Sequence, residues 1–197
     1  MQIHNNIEGK VVVLISANAE WRCVLNFYQE AVLQQSPVGT YFHTSLADKE
    51  VIFFHGGWGK ISAAVTTQYA IDHWNPELIL NLGTCGGLAD QVKVGDVILA
   101  QETLVYDIVE RMGDPREAIN HYCTKLDLSF LKEPLPHPIL KSLLISADQD
   151  IDPELVKKLI EVYHAPAADW ESGAIAWTAQ KNSLHTLILR GVSALVF

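Results

Sequence analysis

Short apolar runs that alternate with helical segments constrain this chain more than any other feature. The run VVVLISA, from Val11 to Ala17, contains no charged residue, which is typical of a β-strand covered on both faces. Similar runs span Val51 to Gly57, Leu78 to Gly83, Asp96 to Val105, Lys141 to Ala147 and His185 to Ala194. Such strands, separated by helices, predict an α/β fold: a three-layer α/β/α sandwich with a central mixed, mostly parallel sheet.

The stretches between these runs have helical character. We predict helices over Ala19 to Leu33, Lys60 to Trp74 and Glu171 to Gln180. A further helix is expected to begin at Pro153, because Asp152 suits its N-cap and proline suits its first turn. Between Met112 and Pro138 the periodicity fades and prolines accumulate, which predicts a long excursion or a lid-like loop.

The composition bounds the classes of function. With 197 residues, 49% of them hydrophobic and 19% charged, residues 1–197 can form a single globular domain. The formal net charge of −9 and the 14 scattered basic residues disfavour a nucleic-acid partner, because phosphate contacts need clustered Lys and Arg. No apolar run approaches the ~18 residues that a membrane helix needs, so no membrane partner is expected.

The placement of cysteines and histidines bears on compartment and metals. Cys23, Cys85 and Cys123 lie far apart without CxxC spacing, which favours reduced thiols in the cytoplasm. The first ten residues lack a basic segment followed by an apolar one, so no secretory signal is expected. The eight histidines include no HxxxH or HExxH spacing, so no metal site is expected.

Two glycine-rich segments follow predicted strands, where ligands collect in α/β sheets. GGWGKIS, from Gly56 to Ser62, lacks the GxxxxGK[ST] spacing of a phosphate loop, and GTCGG, from Gly83 to Gly87, lacks the GxGxxG of a dinucleotide site. Both are predicted to be turns, and no cofactor is expected. Two interpretations stay open: ordinary tight turns, or backbone that approaches a flat, neutral ligand closely because glycine has no Cβ.

Four stretches, in this order, resemble one known superfamily. They are LISANAEW (Leu14 to Trp21), GGWGKISAA (Gly56 to Ala64), LNLGTCGGLADQVKVGDVILA (Leu80 to Ala100), and a closing set of ISADQDI, DWESGAIA and RGVS. The ordered set resembles the nucleoside phosphorylase/nucleosidase superfamily, and within it the methylthioadenosine/S-adenosylhomocysteine nucleosidases. The resemblance covers almost the whole chain. It implies a small-molecule purine nucleoside as substrate and a homo-oligomer, with a dimer favoured.

The resemblance assigns substrate-binding roles at the predicted strand ends. The matching residues are Thr84, Cys85, Gly86, Ile151, Trp170 and Glu171. Glu171 matches a glutamate that hydrogen-bonds the ribose hydroxyls, and a carboxylate can accept from two neighbouring hydroxyls at once. From the residues alone, Glu171 is also open to being a carboxylate at a helix start. Trp170 stands where the family usually has methionine, and Asp150 where it commonly has phenylalanine.

Glu20 matches the family acid that positions and activates the attacking water. A carboxylate base near the anomeric carbon suits glycosidic cleavage through an oxocarbenium-like transition state. From the residues alone, Glu20 is also open to being an exposed carboxylate in the first turn of a helix. Phosphorylases of the superfamily usually carry a P-G-D-P-like turn after the first strand, and SANAEW lacks one. The sequence therefore favours hydrolysis over phosphorolysis.

The family's R-x-[IV]-S-D ends differently here, as Arg190-Gly191-Val192-Ser193-Ala194. In the family this aspartate protonates the leaving purine, and losing a positioned acid typically costs ~10²–10⁴ in rate. We therefore expect a nucleosidase that Ala194 impairs, and a domain without the family's C-terminal helix. Three explanations stay open: a deliberate substitution, a truncated gene, or a natural binding protein. Asp107 and Asp148 are weak candidates for a replacement acid.

Two other classes of function remain. One is a nucleoside-binding protein without turnover, and the other is a phosphate-dependent nucleoside phosphorylase. Lys60 opens a predicted helix and is expected to be solvated, whereas Trp58, Tyr106 and Tyr122 are candidates for a subunit interface. Cys85 is expected to be a small buried filler and not a nucleophile, because no base is identifiable beside it.

Overall fold

The computed structural model describes residues 9–197. These residues form five helices and ten strands. The strands are β1 (Val11–Ile15), β2 (Gln34–Ser36), β3 (Gly39–Leu46), β4 (Lys49–His55), β5 (Leu78–Leu88), β6 (Val97–Val105), β7 (Thr124–Lys125), β8 (Leu140–Ser146), β9 (Ala167–Asp169) and β10 (His185–Val196). The helices are α1 (Asn18–Phe27), α2 (Gly59–Trp74), α3 (Pro115–His121), α4 (Pro153–Tyr163) and α5 (Ser172–Lys181).

All ten strands belong to one mixed sheet. Parallel pairs form its centre, with β1 between β4 and β5, and β10 beside β5. The far side curls into a closed ring, because β10 also pairs with β6, β6 with β8, β8 with β9, and β9 with the end of β5. The sheet is therefore mixed and mostly parallel at its centre, as the sequence predicts.

Successive side chains of β1 point to opposite faces of the sheet and pack in two different hydrophobic clusters, so the strand is covered on both faces. Val11, Val13 and Ile15 pack in a cluster that includes Trp21 of α1. Val12 and Leu14 pack in a second cluster, together with residues of α2 and α5. Because helices cover both faces of the sheet, the predicted three-layer α/β/α arrangement is confirmed.

The prediction of a lid-like loop over Met112 to Pro138 is wrong. This segment contains α3 and β7, and Leu131 is buried in the same cluster as β1. Leu128, Phe130 and Leu135 pack against that cluster as well. The prolines therefore shape a segment that covers the core.

The predicted first helix, over Ala19 to Leu33, is too long, because α1 ends at Phe27. Tyr28 leaves the helix and packs its ring 5.3 Å from that of Phe42 in β3. The chain then enters the antiparallel β2–β3 pair, which the apolar runs do not predict because its strands are largely polar and exposed.

Two expectations concern membranes and export. None of the helices within residues 9–197 is long and apolar enough to cross a membrane. The predicted absence of a secretory signal concerns mainly residues 1–8, which lie outside the described residues.

Candidate active site

A cleft of about 540 Å³ opens at the carboxyl ends of the central strands. It is lined by Ala17, Glu20, Trp58, Thr84, Cys85, Gly86, Asp150, Ile151, Ala168, Asp169, Trp170, Glu171, Ser193 and Val196. These include seven predicted site residues, namely Glu20, Thr84, Cys85, Gly86, Ile151, Trp170 and Glu171. Ala194 is not among the lining residues, although its neighbour Ser193 is.

The cleft exists because two strands leave a gap along one edge of β5. Pairing of β1 with β5 ends at Asn81, and pairing of β9 with β5 begins at Gly86. Between these points the edge of β5 is free of a strand neighbour on that side. The backbone N–H of Thr84, which lies in this gap, donates to the Glu20 carboxylate at 2.6 Å.

Glu20 is held at three points in the first turn of α1. Its Oε1 accepts from the Thr84 N–H and from the Thr84 hydroxyl at 2.9 Å, and its Oε2 accepts from the Ala17 N–H at 3.2 Å. A Cβ at position 83 would lie 2.8 Å from Oε1, so the absence of a side chain on Gly83 lets the carboxylate approach the strand. Glu20 is thus a fixed acceptor at the cleft wall, with oxygen lone pairs left for a ligand or water.

Glu171 lies directly before α5 and is 9% exposed. Its Oε1 accepts a hydrogen bond of 3.0 Å from the backbone N–H of Gly59, at the start of α2. Burial, reinforced by the nearby Asp169 charge, raises the pKa of the Glu171 carboxyl to about 7. This carboxyl therefore exchanges its proton close to neutral pH.

Behind the cleft, Arg190 and Asp169 form a buried ion pair. Arg190 Nε donates to Asp169 Oδ2 at 2.8 Å, and Arg190 Nη2 donates to Asn81 Oδ1 at 2.7 Å. Asp169 also accepts from the Ser146 hydroxyl at 2.6 Å and from the Ser172 N–H at 3.1 Å. These bonds tie β5, β8, β10 and the start of α5 together beneath the cleft floor, so they fix the elements that carry Glu171.

Apolar side chains form the other walls. Ile151 approaches the backbone of β5 so closely that a Cβ on Gly86 would lie 2.5 Å from Ile151 Cδ1. The rings of Trp58 and Trp170 meet edge to face, with centroids 6.5 Å apart. The lining of the cleft therefore combines carboxylates with flat or branched apolar groups. This combination suits a ligand with one polar and one flat apolar part.

The segment GTCGG is not a turn, because β5 runs unbroken through it to Leu88. Gly86 and Gly87 serve close packing instead, since a Cβ on Gly87 would lie 2.6 Å from Val92 Cγ2. The other segment, GGWGK, is a true turn, with positive φ at Gly57 (+85°) and Gly59 (+84°). One of the two predicted glycine turns is thus confirmed and the other is wrong.

Cys85 is 5% exposed, and burial raises the pKa of its thiol to about 12. Such a thiol stays protonated at neutral pH, which disfavours a nucleophilic role. This agrees with its interpretation as a buried filler.

The replacement acids suggested by the sequence are engaged elsewhere. Asp107 pairs with the ammonium group of Lys60, and Asp148 lies 3.6 Å from the same ammonium group. Neither carboxylate lines the cleft. Ala194 is exposed and pairs with Gly86 just after a register shift in the β5–β10 ladder.

Two residues of the cleft have roles that the sequence does not predict. Asp169 ends a strand of only three residues, too short to show a pattern, although the small apolar residues before it indicate a buried strand end. Trp58, predicted as a candidate for a subunit interface, lines the cleft. It lies in the turn before α2, and the residues near it in sequence do not predict its contact with Trp170.

The cleft is acidic. Its lining includes the carboxyl groups of Glu20, Asp150, Asp169 and Glu171, and among the described lining residues none is Lys, Arg or His. Residues 9–197 contain no group of three or more His, Cys, Asp or Glu side chains arranged to hold a metal ion. The site can therefore accept hydrogen bonds and activate water, but its lining offers no cationic side chain to an anion.

A 5′-methylthioadenosine/S-adenosylhomocysteine nucleosidase of Buchnera aphidicola is 28% identical over 183 residues, which cover 86% of this chain and 77% of the relative. The enzyme of that name from Oceanobacillus iheyensis is 33% identical over 96 residues, covering 48% of this chain and 42% of the relative.

Solved structures show the same fold. The Campylobacter jejuni 5′-methylthioadenosine/S-adenosyl homocysteine nucleosidase superposes with a TM-score of 0.81 at 18% identity, covering 95% of this chain and 86% of that one. The futalosine hydrolase of Helicobacter pylori superposes with a TM-score of 0.82 at 19% identity, covering 94% and 84%. The family model described as the phosphorylase superfamily matches residues 12–196, so the chain belongs to the phosphorylase superfamily.

Proposed function

We propose that this protein is a purine nucleosidase that hydrolyses the N-glycosidic bond of an adenine nucleoside such as methylthioadenosine or S-adenosylhomocysteine. The observation that carries the proposal is the pairing of two carboxylates, Glu20 and Glu171, with an apolar wall in one cleft. The names of the relatives support this choice of substrate, since the similar proteins are nucleosidases for these two compounds.

In this proposal the purine lies against Ile151 and the β5 backbone at Gly86. Because Gly86 has no side chain, Ile151 can lie close to the strand and offer an apolar surface to a flat base. Glu171 accepts from the ribose hydroxyls, and its bond to the Gly59 N–H leaves one oxygen free for them. Trp170, adjacent in sequence, packs against the sugar or its 5′ substituent.

Glu20 acts as the general base for the attacking water. Its fixed position, with both oxygens already bonded to backbone N–H groups, suits a base that has to meet one geometry. Water is favoured over phosphate as the nucleophile, because no described residue that lines the cleft carries a cationic side chain to balance a phosphate.

Release of the base is the weak step in this chain. Ala194 has no proton to donate to the purine, and Ser193, which does line the cleft, donates its hydroxyl to the Cys85 carbonyl at 3.2 Å. We therefore propose that base release is slowed by about 10²–10⁴ relative to a site with a positioned acid. If the rate of base release falls to zero, the protein is a nucleoside-binding protein without turnover.

The test is base release from methylthioadenosine, S-adenosylhomocysteine, adenosine and inosine, with and without phosphate. The proposal predicts slow release that does not depend on phosphate and is lost in Glu20→Gln. The matched control is Glu30→Gln, which changes an exposed glutamate away from the cleft. Release only with phosphate would mean a phosphorylase, and tight binding without release would mean a binding protein.

We further propose that the protein is a homodimer in the cytoplasm. Ile61 (80% exposed) and Val65 (48% exposed) follow Trp58 (61% exposed) at helical spacing, so an apolar stripe runs along the exposed side of α2 beside the cleft. Light scattering should give a dimer mass that Ile61→Asp reduces to the monomer mass.

The free state of Cys23, Cys85 and Cys123 supports a reducing compartment.

A further inference from the structure

Lys60, in the first turn of α2, contacts the two loops that follow β6 and β8, contrary to the expectation that it is simply solvated. Its ammonium group pairs with Asp107, which follows β6, and lies 3.6 Å from Asp148, which follows β8. Its own backbone N–H donates to Asp148 Oδ1 at 2.7 Å. The Asp148 N–H in turn donates to Asp107 Oδ2 at 3.0 Å, which closes the network.

This network adjoins the residue that holds Glu171. Gly59 precedes Lys60, and its N–H is the donor to Glu171 Oε1 at 3.0 Å. Gly59 has φ +84°, and a Cβ there would lie 3.0 Å from Asp148 Oδ1, so the network packs directly against this peptide. Asp148 therefore packs against the residue whose N–H binds Glu171.

The charges explain why the lysine is needed. The side chains of Lys60 and Asp107 are only 18% and 20% exposed, so solvent screens the pair less than it screens an ordinary surface ion pair. Without the ammonium group, two neighbouring carboxylates would face each other with only backbone N–H donors between them. Their repulsion would separate the loops after β6 and β8 and release Gly59.

We propose that Lys60 is a positioning residue: by holding Asp107 and Asp148 together, it keeps the Gly59 N–H on Glu171 and so orients Glu171 for the ribose hydroxyls. Its effect on ribose binding rests on the proposed function. Its effect on the Gly59–Glu171 bond stands on the geometry alone.

The first test observes that bond without any ligand. In ¹H–¹⁵N spectra of the full chain, the Gly59 amide should titrate together with the Glu171 carboxyl. The charged groups that act on Glu171 are Asp169, Arg190 and Glu20, and Lys60→Met leaves all three in place. In Lys60→Met the Gly59 amide proton should move upfield, because its charge-assisted hydrogen bond to the carboxylate is lost, and should cease to follow that titration.

Two further variants make the result specific. Lys60→Arg keeps the charge and can bridge two carboxylates, so it should retain the wild-type Gly59 shift. Lys157→Met removes a lysine that is 85% exposed and pairs only at 3.8 Å with Glu161, so it should change nothing at Gly59. An unchanged Gly59 amide in Lys60→Met would overturn the proposal. If Lys60→Met does not fold, Lys60→Gln, which also removes the ammonium charge and leaves both carboxylates in place, decides in the same way.

The second test separates positioning from general damage. Calorimetry should show that Lys60→Met weakens binding of methylthioadenosine about tenfold but changes binding of free adenine by less than about twofold, because adenine makes no contact with Glu171. Equal losses for both ligands would contradict a role through Glu171. If the wild type binds neither ligand, the proposed function fails while the Gly59 spectra still decide the role of Lys60.

Discussion

Replacing Glu171 with Gln should make the protein more stable at alkaline pH while it weakens ligand binding. Gln keeps the size of the side chain and an oxygen that accepts from the Gly59 N–H. It removes the charge that burial and Asp169 oppose. Such a trade between stability and function is expected at a site where a buried group is held in an unfavourable state.

The sign of the effect follows from the raised pKa. The carboxyl has a pKa of about 7 in the folded chain against 4.5 for the ordinary value, so the native state binds the proton more tightly than the unfolded state does. The stability that Glu171 contributes is fully present below the unfolded pKa and is lost as pH rises through the folded pKa. One pKa unit corresponds to about 1.4 kcal/mol, so the shift sets an upper bound of about 3 kcal/mol.

Urea unfolding followed by circular dichroism, at one fixed protein concentration, measures this between about pH 5 and pH 8.5. The free energy of unfolding of Glu171→Gln, measured relative to that of the wild type, should rise by about 1–3 kcal/mol as the pH increases across that range. Most of this rise should occur below about pH 7.5. Glu161→Gln, at a side chain that is 64% exposed, should follow the wild type at every pH. If the difference between Glu171→Gln and wild type stays constant with pH, proton binding by Glu171 is not its cause.

Three other substitutions probe the contacts around the cleft. Gly86→Ala should reduce nucleoside affinity about tenfold or more in calorimetry, because its Cβ would lie 2.5 Å from Ile151 Cδ1 and displace that side chain into the base site. Arg190→Met should lower the free energy of unfolding by about 3–5 kcal/mol in urea, since it leaves the buried Asp169 carboxylate without its partner. Glu20→Gln should lower the rate of base release by about 10²–10⁴ while it changes nucleoside affinity by less than about threefold. Unchanged affinity in Gly86→Ala, unchanged stability in Arg190→Met or full activity in Glu20→Gln would each contradict the role assigned to that residue.

The fold was predictable because its central strands are buried on both faces. Continuous apolar runs such as VVVLI mark such strands without any tertiary information. The start of α4 was equally predictable, because the Asp152 carboxylate accepts from the Glu154 N–H and Pro153 occupies the first turn. These are local signals, carried by neighbouring residues.

Other elements depend on distant contacts and left no local signal. The glycines of GTCGG indicate a turn locally, but pairing with β10 and close packing by Ile151 and Val92 keep them in a strand. The segment after Met112 has the composition of a loop, yet Leu131 within it is buried in the core. The Lys60 network joins residues 47 and 88 positions apart, beyond any pattern that one sequence can show.

Most residues of the cleft were predicted from the resemblance to a family and not from hydrophobic periodicity. From the residues alone, Glu20 and Glu171 are each open to a purely structural interpretation. The structure brings both carboxylates to one cleft, beside the gap in β5 pairing that leaves the Thr84 N–H free for Glu20. That gap arises where β1 ends and β9 begins, and no property of either strand alone predicts it.

Hydrolysis in this cleft is best tested by comparing the wild type with Ala194→Asp in phosphate-free buffer, with methylthioadenosine as the substrate. A nucleosidase that lacks only its acid should release adenine slowly, and release should become faster by about 10²–10⁴ once an acid is present at position 194. Added phosphate should leave both rates unchanged. If neither protein releases adenine, or if release requires phosphate, hydrolysis is not the function of this cleft.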